Sequence, residues 1–259
     1  MADDELAPGA NRRHVALKPG CPQRAAWWGY LMNPILQALP DFLDGAKNTI
    51  IYCVVSFPLA LIMGLLLALM SSSRFVWLKA PARIFIEVIR STPMIAQIFL
   101  IYYGLSAVLF DIDNAIPSLS LAQYDNAWVA GITALAINYC AYEAEVFRAG
   151  FLSVEHGQTE AALSLGLTSG QNFFRIVLPQ AVPLMIPPFV NDFIYMLKDS
   201  AVVSVIAGTE ITSKLDFYRV HNGSNPLPYF ILAIVLYLIL SLPTSYFARW
   251  YERKLRAAL

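Results

Sequence analysis

Asn191, Asp192, Lys198, Asp199 and Ser200 set an amide, two carboxylates, an ammonium and a hydroxyl into a stretch that is otherwise apolar from Gln180 to Gly208. Charges in such surroundings are costly unless paired or facing a polar cavity, so they are candidates for binding by default. The group can serve a polar cargo. It can instead hold an ion for a gradient-driven transporter or channel through Asp192, Lys198 and Asp199, or Lys198 and Asp199 can neutralise each other and brace a bend. A second cluster is Glu143, Glu145 and Arg148. Glu145 and Arg148 stand three apart, on one helix face, where an ion pair lowers the cost of both. Glu143 and Glu145 also have the residue types of an acid and base pair or proton relay in a membrane enzyme, but no histidine or nucleophile lies near them in sequence.

Other chemistries have little footing. Gly208 to Leu215 lacks the glycine before Lys214 and the hydroxyl after it that a phosphate-binding loop needs. His14, His156 and His221 are isolated from one another and from cysteine, so no metal site is expected. Cys53 and Cys140 lie in apolar runs and Cys21 stands apart, which suits buried thiols rather than a disulfide. Lysine plus arginine balance aspartate plus glutamate at 18 each, so no net charge argues for nucleic acid.

The elements that must position the charged groups are membrane spans. With 58% hydrophobic and 14% charged residues, the chain is no ordinary soluble domain. Residues 1–26 read as a mobile polar extension without a cleavable signal, and 27–259 as one transmembrane domain. Trp27 to Leu43, interrupted by Pro34 and Pro40, reads as an interfacial segment. Spans are expected at Thr49 to Met70, Ser91 to Phe110, Ala127 to about Arg148, Gln180 to Leu197 and Leu227 to Phe247. The fourth, holding Pro183, Pro187 and Pro188, is expected to break at Lys198-Asp199-Ser200 and resume over Ala201 to Gly208. Gly64, Gly131, Ala134 and Ala136 permit close helix packing. Arg74, Lys79, Arg83 and Arg90 mark an internal loop, and Arg249, Arg253, Lys254 and Arg256 an internal C-terminus. Asp111 to Asp125 and Glu210 to Asn225 then fall outside, and parity puts the N-terminus outside as well.

Between the third and fourth spans lies a polar interruption at about 153–179 that reads as two short helices. Glu160 stands early in the first, at the positive end of its dipole, and Ala161, Ala162, Leu163 and Leu165 favour helix. Gly166 fits a left-handed stop. Thr168 and Gln171 have capping-box spacing for the second helix, whose apolar face holds Phe173, Phe174, Val177 and Leu178, and Pro179 marks the next turn.

The order Gly157-Gln158, Glu160-Ala161-Ala162, Leu165-Gly166 and Leu178-Pro179-Gln180-Ala181 resembles the EAA loop of permease subunits in binding-protein-dependent ABC importers. Ile89 to Gln97 resembles the Arg-Gly-Thr-Pro motif of the polar amino-acid uptake branch, with Ser91 in place of glycine; Gly45 and Thr49 also fit that branch. Lys198-Asp199-Ser200-Ala201 is similar to its Lys-Asp-Thr-Ser motif, with smaller residues at the last two positions. The likeness spans about residues 28 to 256. It implies an all-α, five-transmembrane-helix type I ABC importer permease core of the MetI-like kind. It also implies a multi-pass protein of the bacterial cytoplasmic (inner) membrane, with the EAA loop and C-terminus cytoplasmic. Gly157, Gln158, Glu160, Ala161, Ala162, Leu165 and Gly166 would then form the ATPase-coupling helix and its stop, and the region of Asn191, Asp192, Lys198, Asp199 and Ser200 would line the substrate path. The implied partners are a second permease subunit, identical or homologous, two ATP-binding subunits and a soluble substrate-binding protein. ATP and magnesium would sit in the ATPase, and this chain would carry no catalytic residue.

Overall fold

A computed structural model describes residues 23–115, 126–221 and 225–256, all helix and short connections. The elements are α1 (Gln23–Ser71), α2 (Val76–Ser91), α3 (Met94–Ala115), α4 (Ala127–Leu152), α5 (His156–Ser164), α6 (Ser169–Asn172), α7 (Leu178–Asp199), α8 (Ile211–His221) and α9 (Leu227–Arg256). A π-turn, Phe173–Val177, joins α6 to α7, and a 3-10 turn, Ser200–Ile206, follows α7. Most of the proposed extension, residues 1–22, lies outside the described residues, but 23–26 already belong to α1.

The arrangement is built around α4. Its small residues Ala130, Ala134, Ala141 and Ala144 are buried, with Leu135 and Tyr139 among them, and this lets α1 lie close along it. At Gly64 of α1 an added Cβ would stand 2.8 Å from the Cβ of Glu143 and 3.0 Å from the carbonyl of Cys140. The main core joins Tyr52, Cys53 and Ala60 of α1 to Ile98 of α3, Met196 of α7 and Val203 of the 3-10 turn. A second core packs Phe42 and Ala46 of α1 against Ile211 and Leu215 of α8 and Leu232 and Leu236 of α9.

Three helices are long and apolar enough to cross a membrane, within Met32–Ser71, Ser169–Ile206 and Leu227–Leu255, and α2 with α3 gives a fourth if the bent pair is one span. That is three or four rather than the expected five. The shortfall is α4, the third expected span, which does run past Glu143 and Glu145 to Leu152 as anticipated. Its polar Asn138, Tyr139 and Glu143 lower its apolarity because protein, not lipid, surrounds them.

Several expectations are corrected. Trp27 to Leu43 is no separate interfacial segment: α1 is a single 49-residue helix with Pro34, Pro40 and Pro58 inside it. The second core holds its first part in place, with Ala38 and Phe42 wholly buried, which outweighs the helix bonds that proline removes. The presumed internal loop of Arg74 to Arg90 is mostly α2, which packs by Ala82 and Ile86. Its Lys79 and Arg83, four apart, share a face. The second span, expected from about Ser91, is α3 from Met94, which meets α2 at an angle of 112°. Thr92 precedes Pro93 and is extended, ψ 144°, as proline demands of its predecessor.

In α7 the prolines 183, 187 and 188 sit inside an unbroken helix. At Ser200 the chain tightens into the 3-10 turn instead of unwinding, and the reversal comes at Ala207, in left-handed conformation with φ 60°. Pro179 marks no turn; it occupies the start of α7, where its missing N–H is not needed. The presumed outer loop from Glu210 contains α8. Glu210 caps that helix, its carboxylate accepting from the amides of Thr212 and Ser213 at 2.7 Å each and from the Tyr237 hydroxyl at 2.9 Å. Ser213 returns the contact by accepting from the Glu210 amide at 2.8 Å. Burial pushes the Glu210 carboxyl up to about 7 against the pull of these bonds. The external reading of 111–125 falls largely outside the described residues, apart from the end of α3.

Candidate substrate cavity and coupling helix

The loop between α4 and α7 is organised by local hydrogen bonds. After α5 the chain reverses at Gly166, φ +85°, a value that favours glycine. The amide of Gly166 donates to the carbonyl of Leu163 at 3.0 Å and that of Leu167 to Ala162 at 3.2 Å, the paired bonds of a Schellman stop. Thr168 then opens α6 with a complete capping box: its hydroxyl accepts from the Gln171 amide, and the Gln171 side-chain oxygen accepts from the Thr168 amide. Asn172, buried, ties α6 to α5 through Thr159 at 3.4 Å.

Ala162 is the residue by which α5 rests on the protein. Gly157, Gln158, Glu160, Ala161, Leu165 and Gly166 are exposed. Leu165 is 82% exposed and Phe174 67%, with Leu163 exposed beside them. A rigid polar loop thus presents large apolar side chains outward, as a docking surface does.

The second site is concave. Where α2 bends into α3, Gln97 is buried and its amide nitrogen donates to the Ile89 carbonyl at 2.8 Å and to the Thr92 hydroxyl at 2.7 Å. Its oxygen accepts from Asn138 of α4 at 2.9 Å. This staple satisfies a carbonyl that the end of α2 leaves open and fixes the bend against α4. Between the bend, α4 and α7 lies a cavity of about 420 Å³, with Thr92, Asn138, Tyr139, Asp192, Tyr195 and Asp199 in its wall. A neighbouring cavity of about 520 Å³ shares Tyr142 and Asp192 and adds Arg90 and Glu145.

Of the five residues singled out in this region, Asp192 and Asp199 line the cavity. Asp199 accepts from the Tyr139 hydroxyl at 2.7 Å. Lys198 is exposed, its ammonium 5.3 Å from the centre of the Tyr195 ring, and no Lys198–Asp199 ion pair occurs among the described residues. Ser200 is buried and donates to the Leu197 carbonyl at 2.9 Å. Asn191 is exposed and away from both cavities. Arg90, Asn138, Tyr139, Tyr142 and Tyr195 were not anticipated. The available signal was the polar and aromatic set Asn138, Tyr139 and Tyr142 within one apolar helix.

Glu143 and Glu145 do not converge. Glu145 accepts from Arg148 at 2.6 Å, the pairing expected from their spacing. Glu143 is wholly buried beside Gly64, and neither of its oxygens has a hydrogen-bond partner. No group of three or more potential metal ligands occurs among the described residues.

Residues 60–257 match the family described as binding-protein-dependent transport system inner membrane component. A probable amino-acid ABC transporter permease of Sinorhizobium fredii is 35% identical over 217 residues, covering 83% of this chain and 87% of that protein. An arginine transport system permease of Bacillus subtilis is 33% identical over 223 residues, covering 85% and 94%. Among solved structures, a chain of an amino acid ABC transporter superposes with TM-score 0.74 at 34% identity, covering 85% of this chain and 97% of that one. A chain of the MetNI methionine transporter shares the fold, TM-score 0.65, at 17% identity. These likenesses lend nothing to an ion-gradient transporter. With its multi-pass helical architecture and a match over most of its length, the chain belongs to the family of binding-protein-dependent transport system inner membrane components.

Proposed function

We propose that the chain is the permease subunit of an ATP-driven importer of polar amino acids, and that the cavity between the α2–α3 bend, α4 and α7 is a segment of its translocation path. The observation that carries this reading is the pairing of a concave site bearing both charge signs with a rigid, outward-facing apolar loop. An amino-acid zwitterion crossing an apolar medium needs partners for both of its charges, and the site offers Arg90, Asp192 and Asp199. The transport activities of the relatives, of amino acids and of arginine, agree with it.

In this reading α4 is the fifth span, next to α1, the α2–α3 pair, α7 and α9, in the bacterial cytoplasmic membrane with the α5–α6 loop and the C-terminus on the cytoplasmic side. A second permease subunit completes the path, and two ATPase subunits, which hold the ATP and magnesium, receive α5. A soluble binding protein delivers cargo from outside. Closure of the ATPase dimer is transmitted through α5 as a rigid-body swing of the spans, exchanging outward-facing and inward-facing cavities.

The test is uptake of a labelled amino-acid panel into proteoliposomes containing the assembled complex and internal ATP. Tyr195→Cys, made with Cys21→Ser because Cys53 and Cys140 are buried, places a thiol at the cavity wall. Its modification by a bulky reagent is expected to stop uptake while the ATPase stays bound. Undiminished uptake after complete modification would remove this cavity from the path. Labelling of Ser164→Cys from the lumen-inaccessible, cytoplasmic face alone is the expected sidedness.

A further inference from the structure

Cations are treated differently at the two ends of the molecule. At the outer end of the proposed topology Lys214 is paired with Asp44 at 3.6 Å and Arg219 with Asp216 at 3.1 Å. At the opposite end Arg74, Lys79 and Arg83 make no ion pair among the described residues. Glu87 stands four residues after Arg83, where a helix brings side chains together, yet no ion pair joins them. Arg74 lies over the Phe75 ring at 4.9 Å, and Arg90 over the Tyr142 ring at 5.5 Å beside the larger cavity. Lys79 and Arg83 are thus left facing an anion that this chain does not supply.

Helix α2 has three faces. Ala82 and Ile86 are buried, and Ile86 packs with Ala68 of α1 and with Ala141 and Ala144 of α4. Lys79 and Arg83 share the second face. Trp77, Ile84 and Val88 recur at steps of seven and four and form the third, 70%, 64% and 53% exposed. Such a stripe calls for an apolar cover. The span in α1 ends at Ser71, shortly before α2 starts at Val76, so α2 begins where that span leaves the hydrocarbon. With α3 crossing the bilayer, the 112° turn lays α2 closer to the membrane plane than to its normal. A helix lying so, with aromatic and aliphatic side chains on one face and lysine and arginine on the next, reaches acyl chains and headgroups at once.

We propose that α2 carries a binding site for an anionic phospholipid, its phosphate held between Lys79 and Arg83 and its acyl chains laid along Trp77, Ile84 and Val88. The two cations are one helical turn apart, so a single phosphate reaches both. Arg83 can grip it through two parallel N–H bonds. The apolar stripe is what commits the site to a lipid. A free phosphate or an acidic patch on the soluble ATPase would satisfy the cations but leave Ile84 and Val88 uncovered. The bound lipid holds α2 at its depth, and with it the bend that Gln97 ties to α4. The inference rests on the proposed crossing of α3, with α2 at the cytoplasmic side.

The test puts a bimane fluorophore on Ile84→Cys, made with Cys21→Ser because Cys53 and Cys140 are buried. The assembled permease and ATPase complex is placed in phosphatidylcholine vesicles, and brominated phosphatidylglycerol or brominated phosphatidylcholine, each a contact quencher, replaces part of the lipid. Phosphatidylglycerol is expected to occupy the position at least about fivefold more tightly, the yield of one cation near an anionic surface. Lys79→Gln together with Arg83→Gln should make the two lipids equal. Lys79→Arg with Arg83→Lys, which keeps both charges, should retain the preference, as should Lys214→Gln, whose ammonium is already paired. Equal quenching by both lipids before any cation is altered would overturn the anionic class. A preference that survives removal of both cations would overturn the placement of the phosphate, and one abolished by inorganic phosphate would make this a free-anion site. Quenching by neither lipid would mean that protein, the ATPase or a second permease subunit, covers the stripe, and the lipid site fails. A lipid preference in a complex that imports no amino acid would overturn the importer reading and leave the site standing; absent preference with normal uptake does the reverse.

Discussion

The α5–α6 loop and the α4–α7 cavity are made by opposite means. The loop is specified within about twenty residues, by a Schellman stop and a capping box whose partners stand three to five positions apart. The cavity is assembled from α2, α3, α4 and α7, and its staple joins Gln97 to Asn138 across 41 positions. One surface is a polar loop that turns Leu163, Leu165 and Phe174 outward, and the other is concave and charged. A docking surface can be written locally because the partner supplies the complement; a cavity has to supply its own.

The sharpest break in that comparison is expected from Leu165→Asp. A charge on the most exposed apolar residue of the loop should abolish co-purification of the ATPase and reduce uptake by well over about tenfold, as loss of an interface hot spot does. The melting temperature should hardly move, because Leu165 touches little of its own chain. A large fall in melting temperature with the ATPase still bound would show the loop to be part of the fold instead.

Gly64→Val addresses the scaffold behind the cavity. With a Cβ 2.8 Å from that of Glu143, α1 must move from α4, at about 1 to 3 kcal/mol for overpacking. The assembled complex should melt several degrees lower in detergent. An unchanged melting curve would mean that α1 and α4 do not pack through Gly64. Gln97→Leu leaves the Ile89 carbonyl and the Asn138 amide without their partner, about 1 to 3 kcal/mol for each buried group. It should lower both stability and affinity for cargo. Gln97→Leu with normal stability would dissolve the staple, and with it the claim that the cavity depends on distant contacts.

Tyr139→Phe is a milder probe, removing the single hydrogen bond to Asp199. The half-saturating concentration for uptake should change by roughly tenfold, while ATPase docking stays normal. The smallest effect belongs to Glu210, where burial raises the carboxyl from 4.5 to about 7. The folded protein binds this proton more tightly than the unfolded chain, so Glu210's contribution is fully present below pH 4.5 and declines as pH rises through about 7. Glu210→Gln should flatten that part of the stability profile, measured by thermal melts across the range.

The same contrast explains what was legible in the sequence. The stop at Gly166 and the box at Thr168 could be placed to the residue because the atoms that decide them are neighbours in the chain. So could Glu145 with Arg148. The α2–α3 bend was partly legible in Thr92-Pro93, but the partner that holds it was not, since nothing near Gln97 points to Asn138. α8 went unseen because glutamate is an unusual cap, and here Tyr237 from α9 helps to hold it. The prolines of α1 and α7 suggested breaks that tertiary packing overrides. Lys198 and Asp199, adjacent in sequence, project from different faces of a helix, which is why proximity along the chain gave a pair that the structure does not form.

The burial of α4 bears on how the chain is made. Asn138 and Glu143 near the middle of a 26-residue helix penalise its solitary transfer from the translocon into lipid, a carboxylate alone at the centre of a span by about 2.5 to 3.5 kcal/mol. Yet α1, already synthesised, offers Gly64 as a groove for that carboxylate's stem. α4 is thus expected to leave the translocon against α1 rather than independently, so that helix pairing precedes, and does not follow, the completion of membrane insertion.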